Sequence, residues 1–175
     1  RSSLTYKIFP AKRYLCEKKG YDFIDIDLRW GVSASEAENG DVLEICLTEI
    51  NNTKPFFLGI IGDRYGWVPT RENINNIDRL IETYPKVYTY LKSEYSITEM
   101  EMMFGVLDSD QDYNAVFFIR EPQSTNDSPE SRKLDELRNK IKGQNKYPVF
   151  QYRTLEEFEN VVDDYFTQRL QEICV

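Results

Sequence analysis

The chain has 175 residues, of which 41% are hydrophobic and 30% charged, the balance of one soluble globular domain spanning residues 1–175. With 22 basic against 30 acidic side chains the formal charge is −8, which argues against nucleic acid as a partner, because that affinity comes from clustered Lys and Arg. The absence of histidine excludes any Ser-His or Cys-His nucleophile and any histidine general base within the chain.

No apolar run is long enough to cross a bilayer and no secretory signal is visible, so no membrane is expected. Cys16, Cys46 and Cys174 are odd in number and lack CxxC spacing. They read as buried, inert thiols in a reducing compartment, which points to the cytoplasm.

Ser2 to Lys19 reads as a helix with Leu4, Ile8 and Leu15 near one stripe, Pro10 as a kink and Gly20 as its stop. Lys12, Arg13, Lys18 and Lys19 form its solvated face. Asp22 to Leu28 alternates charged and apolar residues, the period of a strand with one wetter face, and runs into Arg29-Trp30-Gly31. Val42, Ile45, Cys46, Glu49 and Ile50 then repeat at helical spacing to about Asn52, and Lys54-Pro55 breaks the helix. Phe56 to Ile61 is a short, uniformly apolar run, the signature of a strand buried on both faces.

The loop after that strand, Gly62-Asp63-Arg64-Tyr65-Gly66-Trp67-Val68-Pro69, would lie beyond a strand's carboxyl end, where ligands sit in open α/β sheets. The plainer alternative is that Asp63 and Arg64 pair while Tyr65 and Trp67 cover the sheet end. A helix is expected within Asn73 to Tyr84. The tyrosine-rich stretch from Tyr84 to Leu91 has no clear period, and reads as a lid, a binding loop or a surface excursion.

Ser96 to Leu107 opens with capping residues and continues as an apolar helix. Ala115 to Arg120 is a second doubly buried strand, Glu121 to Ser131 a mobile loop, and Ser131 to Lys142 an exposed helix. Tyr147 to Tyr152 is a short last strand, and Thr154 to Cys174 an amphipathic closing helix. Four strands alternating with helices imply a mostly parallel sheet with helices on both faces. A chain that opens inside a helix lacks the strand before it, so the first central strand is expected upstream of Arg1.

Asp27-Leu28-Arg29-Trp30-Gly31, Leu43 to Ile50, Gly62 to Pro69 and Ser96 to Glu101, in that order, resemble the TIR-like domain of unknown function near the N-terminus of NACHT/STAND-type ATPase proteins. Those proteins often carry WD or tetratricopeptide repeats, and the telomerase-associated vault protein and nephrocystin-like proteins are among them. The resemblance implies a flavodoxin-like or TIR-like three-layer α/β sandwich, with a Phe-x-Ser-Ser-Thr-Phe strand ahead of Arg1. It implies protein partners or self-association, with ATPase and repeat domains elsewhere in the parent chain.

Some TIR domains instead cleave NAD with one glutamate at a helix start. The spacing of Thr98 to Glu101 matches that of related nucleoside transferases, so the resemblance makes Glu101 the candidate catalytic carboxylate and NAD a candidate substrate. A lone carboxylate suits the chemistry, because breaking an N-glycosidic bond builds positive charge on the ribose. Glu99 and Glu101 stand about 200° apart on a helix, so only one can face a shared pocket. Glu99 is then expected to pair with Arg29 or Arg64. Asp27, Arg29, Trp30, Asp63, Arg64, Tyr65, Ser96 and Thr98 would shape the pocket. The plainer alternative is that both glutamates favour a helix N-terminus through its dipole, at about 0.3–1 kcal/mol each.

Overall fold

The computed structural model describes residues 2–28, 41–110, 112–122 and 127–174. At its centre lie three parallel strands, β1 (Phe56–Ile61), β2 (Asn114–Arg120) and β3 (Val149–Tyr152), in the order β1-β2-β3. Leu58 lies beside Val116, and Phe118 beside Phe150. The five residues from Ala115 to Ile119 are all buried, which is why β2 carries apolar side chains on both of its faces. The α/β arrangement is flavodoxin-like, as the alternation of strand and helix predicts.

Helices cover both sides of the sheet. On one side lie α1 (Phe9–Glu17) and α7 (Leu155–Ile173), whose Phe9, Phe158 and Val162 pack with Val116 and Phe118. On the other side α5 (Ile97–Met102), the wide helical turn Met103–Leu107 and α6 (Pro129–Gly143) set Met102, Val106, Leu134, Leu137 and Ile141 against Ala115, Phe117 and Ile119. A further cluster joins α5 to α2 (Val42–Asn52), α3 (Ile77–Thr83) and α4 (Lys86–Lys92) through Leu43, Leu47, Leu80, Val87, Tyr90 and Met100.

α1 and α7 run side by side in one direction. Lys7 pairs with Glu159, the buried Lys12 ammonium donates to Asp163 and Thr167 at 2.7 Å each, and Lys19 donates to the Cys174 carbonyl at 2.5 Å. Cys16 and Cys174 meet at the far end, Sγ to Sγ 3.9 Å, and burial together with this contact pushes the Cys16 thiol up to about 11.

Helical structure runs from Ser2 to Glu17, as expected, and the interruption that Pro10 predicts takes the form of a widened turn just ahead of it. Leu4–Ile8 is that wider turn, and it continues directly into α1. Several other expectations are revised. The stretch from Tyr84 to Leu91 is not a lid or loop. Lys86–Lys92 is helical, with Val87 and Tyr90 facing inward and the Tyr90 hydroxyl donating to Asp108 at 2.9 Å. α6 is not simply an exposed helix, since Leu134, Leu137, Arg138 and Ile141 form a buried stripe. Among the described residues Asp22 to Leu28 belongs to no ladder and the sheet has three strands, where four were expected.

On the side covered by α5 and α6, sheet and helices close at glycine. A Cβ on Gly59 would stand 2.4 Å from Phe117 Cδ1, and one on Gly105 2.5 Å from Phe57 Cε2. Gly59→Ala should therefore lower stability by about 1–3 kcal/mol through overpacking. The check is a lower denaturant midpoint at unchanged slope.

Candidate functional site

β1 ends at Ile61, and the loop that follows turns back across the start of α5. Gly66 allows this approach: it has φ +99°, and a Cβ there would lie 3.3 Å from Thr98 Oγ1 and 3.6 Å from Ser96 Cβ. The Trp67 carbonyl accepts the Ile97 N–H at 2.9 Å, satisfying one of the orphan amides at the helix start. Ser96 caps α5, its hydroxyl accepting the Glu99 N–H at 3.2 Å. The loop and the helix are thus one assembly.

Glu99 is 3% exposed, and each of its carboxylate oxygens has a donor. The Tyr65 hydroxyl donates to Oε2 at 2.5 Å, and the Lys140 ammonium of α6 donates to Oε1 at 2.7 Å. Tyr65 also accepts the Ser96 N–H at 3.3 Å, the amide that a reciprocal capping box would give to the Glu99 carboxylate. Lys140 lies 4.7 Å above the Tyr95 ring. A carboxylate removed from water is tolerated only when paired and hydrogen-bonded, and both conditions hold here.

The network is legible in its titration. Burial, with the Glu99 hydrogen bond added, pushes the Tyr65 phenol well above its ordinary value. Burial works to lower the Lys140 ammonium, but hydrogen bonding to Glu99 and its negative charge outweigh that, so the ammonium holds its proton more tightly than usual.

A second group sits at the strand ends. Arg120 at the end of β2 donates to Asp63 at 2.7 Å. Arg138 of α6, 5% exposed, donates to the Gly62 carbonyl at 2.8 Å and to Asp135 at 2.9 Å. Tyr152 at the end of β3 is half-buried, and burial raises its phenol.

Of the predicted site residues, Tyr65, Ser96, Thr98 and Glu99 come together. Asp63 faces Arg120 rather than Arg64, and Glu99 pairs with Lys140 rather than with Arg29 or Arg64, because α6 crosses the carboxyl end of β1 and brings Lys140 there. Arg64 is exposed, while Asp27 and Glu101 are half-buried. Arg29 and Trp30 lie outside the described residues. Among the described residues no group of three or more Cys, Asp or Glu side chains could hold a metal ion. The sequence reading missed Lys140 and Arg138. The stripe of Leu134, Leu137 and Ile141 was the available signal that α6 packs inward.

The profile of a family described as "Domain of unknown function (DUF4062)" matches residues 16–166. A TPR repeat-containing protein of Dictyostelium discoideum is 31% identical over 70% of this chain and 8% of its own length. Telomerase protein component 1 of Mus musculus is 33% identical over 77% of this chain and 5% of its own. NACHT domain- and WD repeat-containing protein 1 of Mus musculus is 30% identical over 42% of this chain and 5% of its own. The chain thus spans less than a tenth of the length of each of these relatives. No solved structure matches.

Tyr65 and Lys140 both hold protons above their ordinary values, so the stability they contribute is whole below the ordinary phenol value of 10.0 and is lost as pH rises beyond it. Tyr65→Phe should cost about 1–3 kcal/mol at neutral pH, because one Glu99 oxygen loses its donor. It should also flatten the alkaline loss, leaving what Lys140, Cys16, Tyr90, Tyr152 and Tyr165 contribute. Denaturant melts from about pH 7 to about pH 11 check both.

Proposed function

Because this chain belongs to the DUF4062 family, we propose that it is a TIR-like signalling or effector module of a larger NACHT-type protein and acts mainly through protein–protein association. The observation that carries this reading is the engagement of Glu99. Its buried carboxylate is spent on Tyr65 and Lys140, which fasten the β1 loop, α5 and α6 to one another. A carboxylate with both oxygens committed to holding a scaffold is suited to making a rigid surface rather than to meeting a cation that develops during a reaction.

The relatives named for repeats and NACHT domains supply the context, since such domains place a small module inside a large assembly. The three cysteines, buried and free of disulfides, fit a reducing compartment, which we take to be the cytoplasm. The acidic balance and the lack of any described helix long and apolar enough to cross a membrane fit protein partners.

A second reading draws on one observation. Tyr65, Ser96, Thr98 and Glu99 gather beyond the carboxyl end of β1, where open α/β sheets place ligands. On this reading Glu101 stabilises the positive ribose formed as NAD or another nucleotide loses its base, with Asp27, Arg29, Trp30, Asp63 and Arg64 around it.

Two measurements on the full-length parent protein separate these readings. Incubated with NAD, it should release no nicotinamide; release that Glu101→Gln abolishes would establish the second reading. In light scattering, deleting residues 1–175 should lower the mass of the assembly by more than the deleted segment accounts for. An assembly otherwise unchanged by the deletion would overturn the association reading.

A further inference from the structure

Cys16 stands in the last turn of α1 and Cys174 caps the end of α7, and their sulfurs lie 3.9 Å apart. Both residues are buried, at 2% and 3% exposure. A free cysteine packs as a small apolar group, so burial accounts for each of them singly. It does not account for two of the chain's three cysteines meeting across 158 residues of sequence.

The backbone on each side of this contact is held. The Cys16 carbonyl accepts the N–H groups of Lys19 and Tyr21 at 2.9 and 3.0 Å, and the Cys174 N–H donates to the Leu170 carbonyl at 2.9 Å. The Lys19 ammonium reaches across to the Cys174 carbonyl. A disulfide needs its sulfurs about 2 Å apart, a change within reach of side-chain rotation and a slight shift of the helix ends. None of the hydrogen bonds just named involves a sulfur, so none has to be given up.

We propose that Cys16 and Cys174 are an oxidation site, joined by a peroxide into a disulfide that clasps α1 to α7. One sulfur, as thiolate, attacks a peroxide oxygen. The O–O bond breaks, a sulfenic acid forms, and the departing oxygen takes up a proton and leaves as water. The second sulfur attacks the sulfenic sulfur, the S–S bond forms, and the S–O bond breaks to release a second water. Two thiols thus lose two electrons and two protons to one hydrogen peroxide, which becomes two waters. Burial and the Cys174 contact hold the Cys16 thiol up at about 11, so its thiolate is scarce at neutral pH and the reaction is slow. The pair accordingly stays reduced in a reducing compartment and answers sustained oxidation rather than a brief pulse. The bond closes a loop that contains all three strands, Tyr65, Glu99 and Lys140. It adds a covalent tie to a seam whose charged ties are the ammonium groups of Lys7, Lys12 and Lys19.

The test exposes the native full-length parent protein to hydrogen peroxide for hours, alkylates the remaining thiols and maps disulfides without reductant. Peptides carrying Cys16 and Cys174 should appear joined, lighter by two hydrogens than their sum, and should separate on reduction. In hydrogen exchange the amides in the last turns of α1 and α7 should slow by about tenfold on oxidation. Cys16→Ser should abolish both changes, whereas Cys46→Ser should leave both intact. Recovery of both thiols alkylated, while glutathione in the same solution is fully oxidised, would overturn the proposal. So would a bond from either sulfur to Cys46 or to another polypeptide, sulfinic acid without joining, or joining seen only after denaturation. A joined pair whose flanking amides exchange as before would overturn the clasp.

Discussion

A negative charge held almost completely out of water organises one end of this molecule. Glu99 sits on the first turn of α5, where the helix start favours an anion, but the decisive partners come from far away in sequence. Tyr65 arrives from the loop after β1 and Lys140 from the helix between β2 and β3. Removing either leaves a buried oxygen without its donor, so the three elements are not independently variable. The order of this end of the sheet is a consequence of electrical and hydrogen-bond balance around one side chain.

The other side of the sheet is held by different means. α1 and the residues on either side of it are tied to α7 by the ammonium groups of Lys7, Lys12 and Lys19. Phe9, Phe23 and Phe166 complete the seam with tilted and edge-on ring contacts. The two sides therefore differ in character: a charged lock over the carboxyl end of β1, and an aromatic and lysine seam beside α7.

Much of this was legible in the sequence, and the limits have physical reasons. Ala115 to Ile119 declared a parallel strand buried on both faces, since only such strands are apolar throughout, whereas Phe56 to Ile61 is a parallel strand in which only Gly59 and Ile61 are buried. Tyr65, Ser96, Thr98 and Glu99 could be gathered from the rule that loops at strand ends share one edge of an open sheet. Lys140 was out of reach, because a lysine on a helix carries no local sign of the distant carboxylate it meets. Asp63 was assigned to its neighbour Arg64, while its partner Arg120 stands on the adjacent strand, a pairing that depends on register. Between Tyr84 and Lys92, Pro85 separates two short helices, and seven residues are too few to display a period.

The hydrogen bond from Ile97 to the Trp67 carbonyl has a mechanical meaning. It fastens the loop to the axis of α5, and Glu99 on that helix is fastened in turn to α6. Trp67, half in solvent, therefore stands on a stretch of backbone pinned to the start of α5, so the place where its ring meets solvent is set by that helix and not by the loop alone.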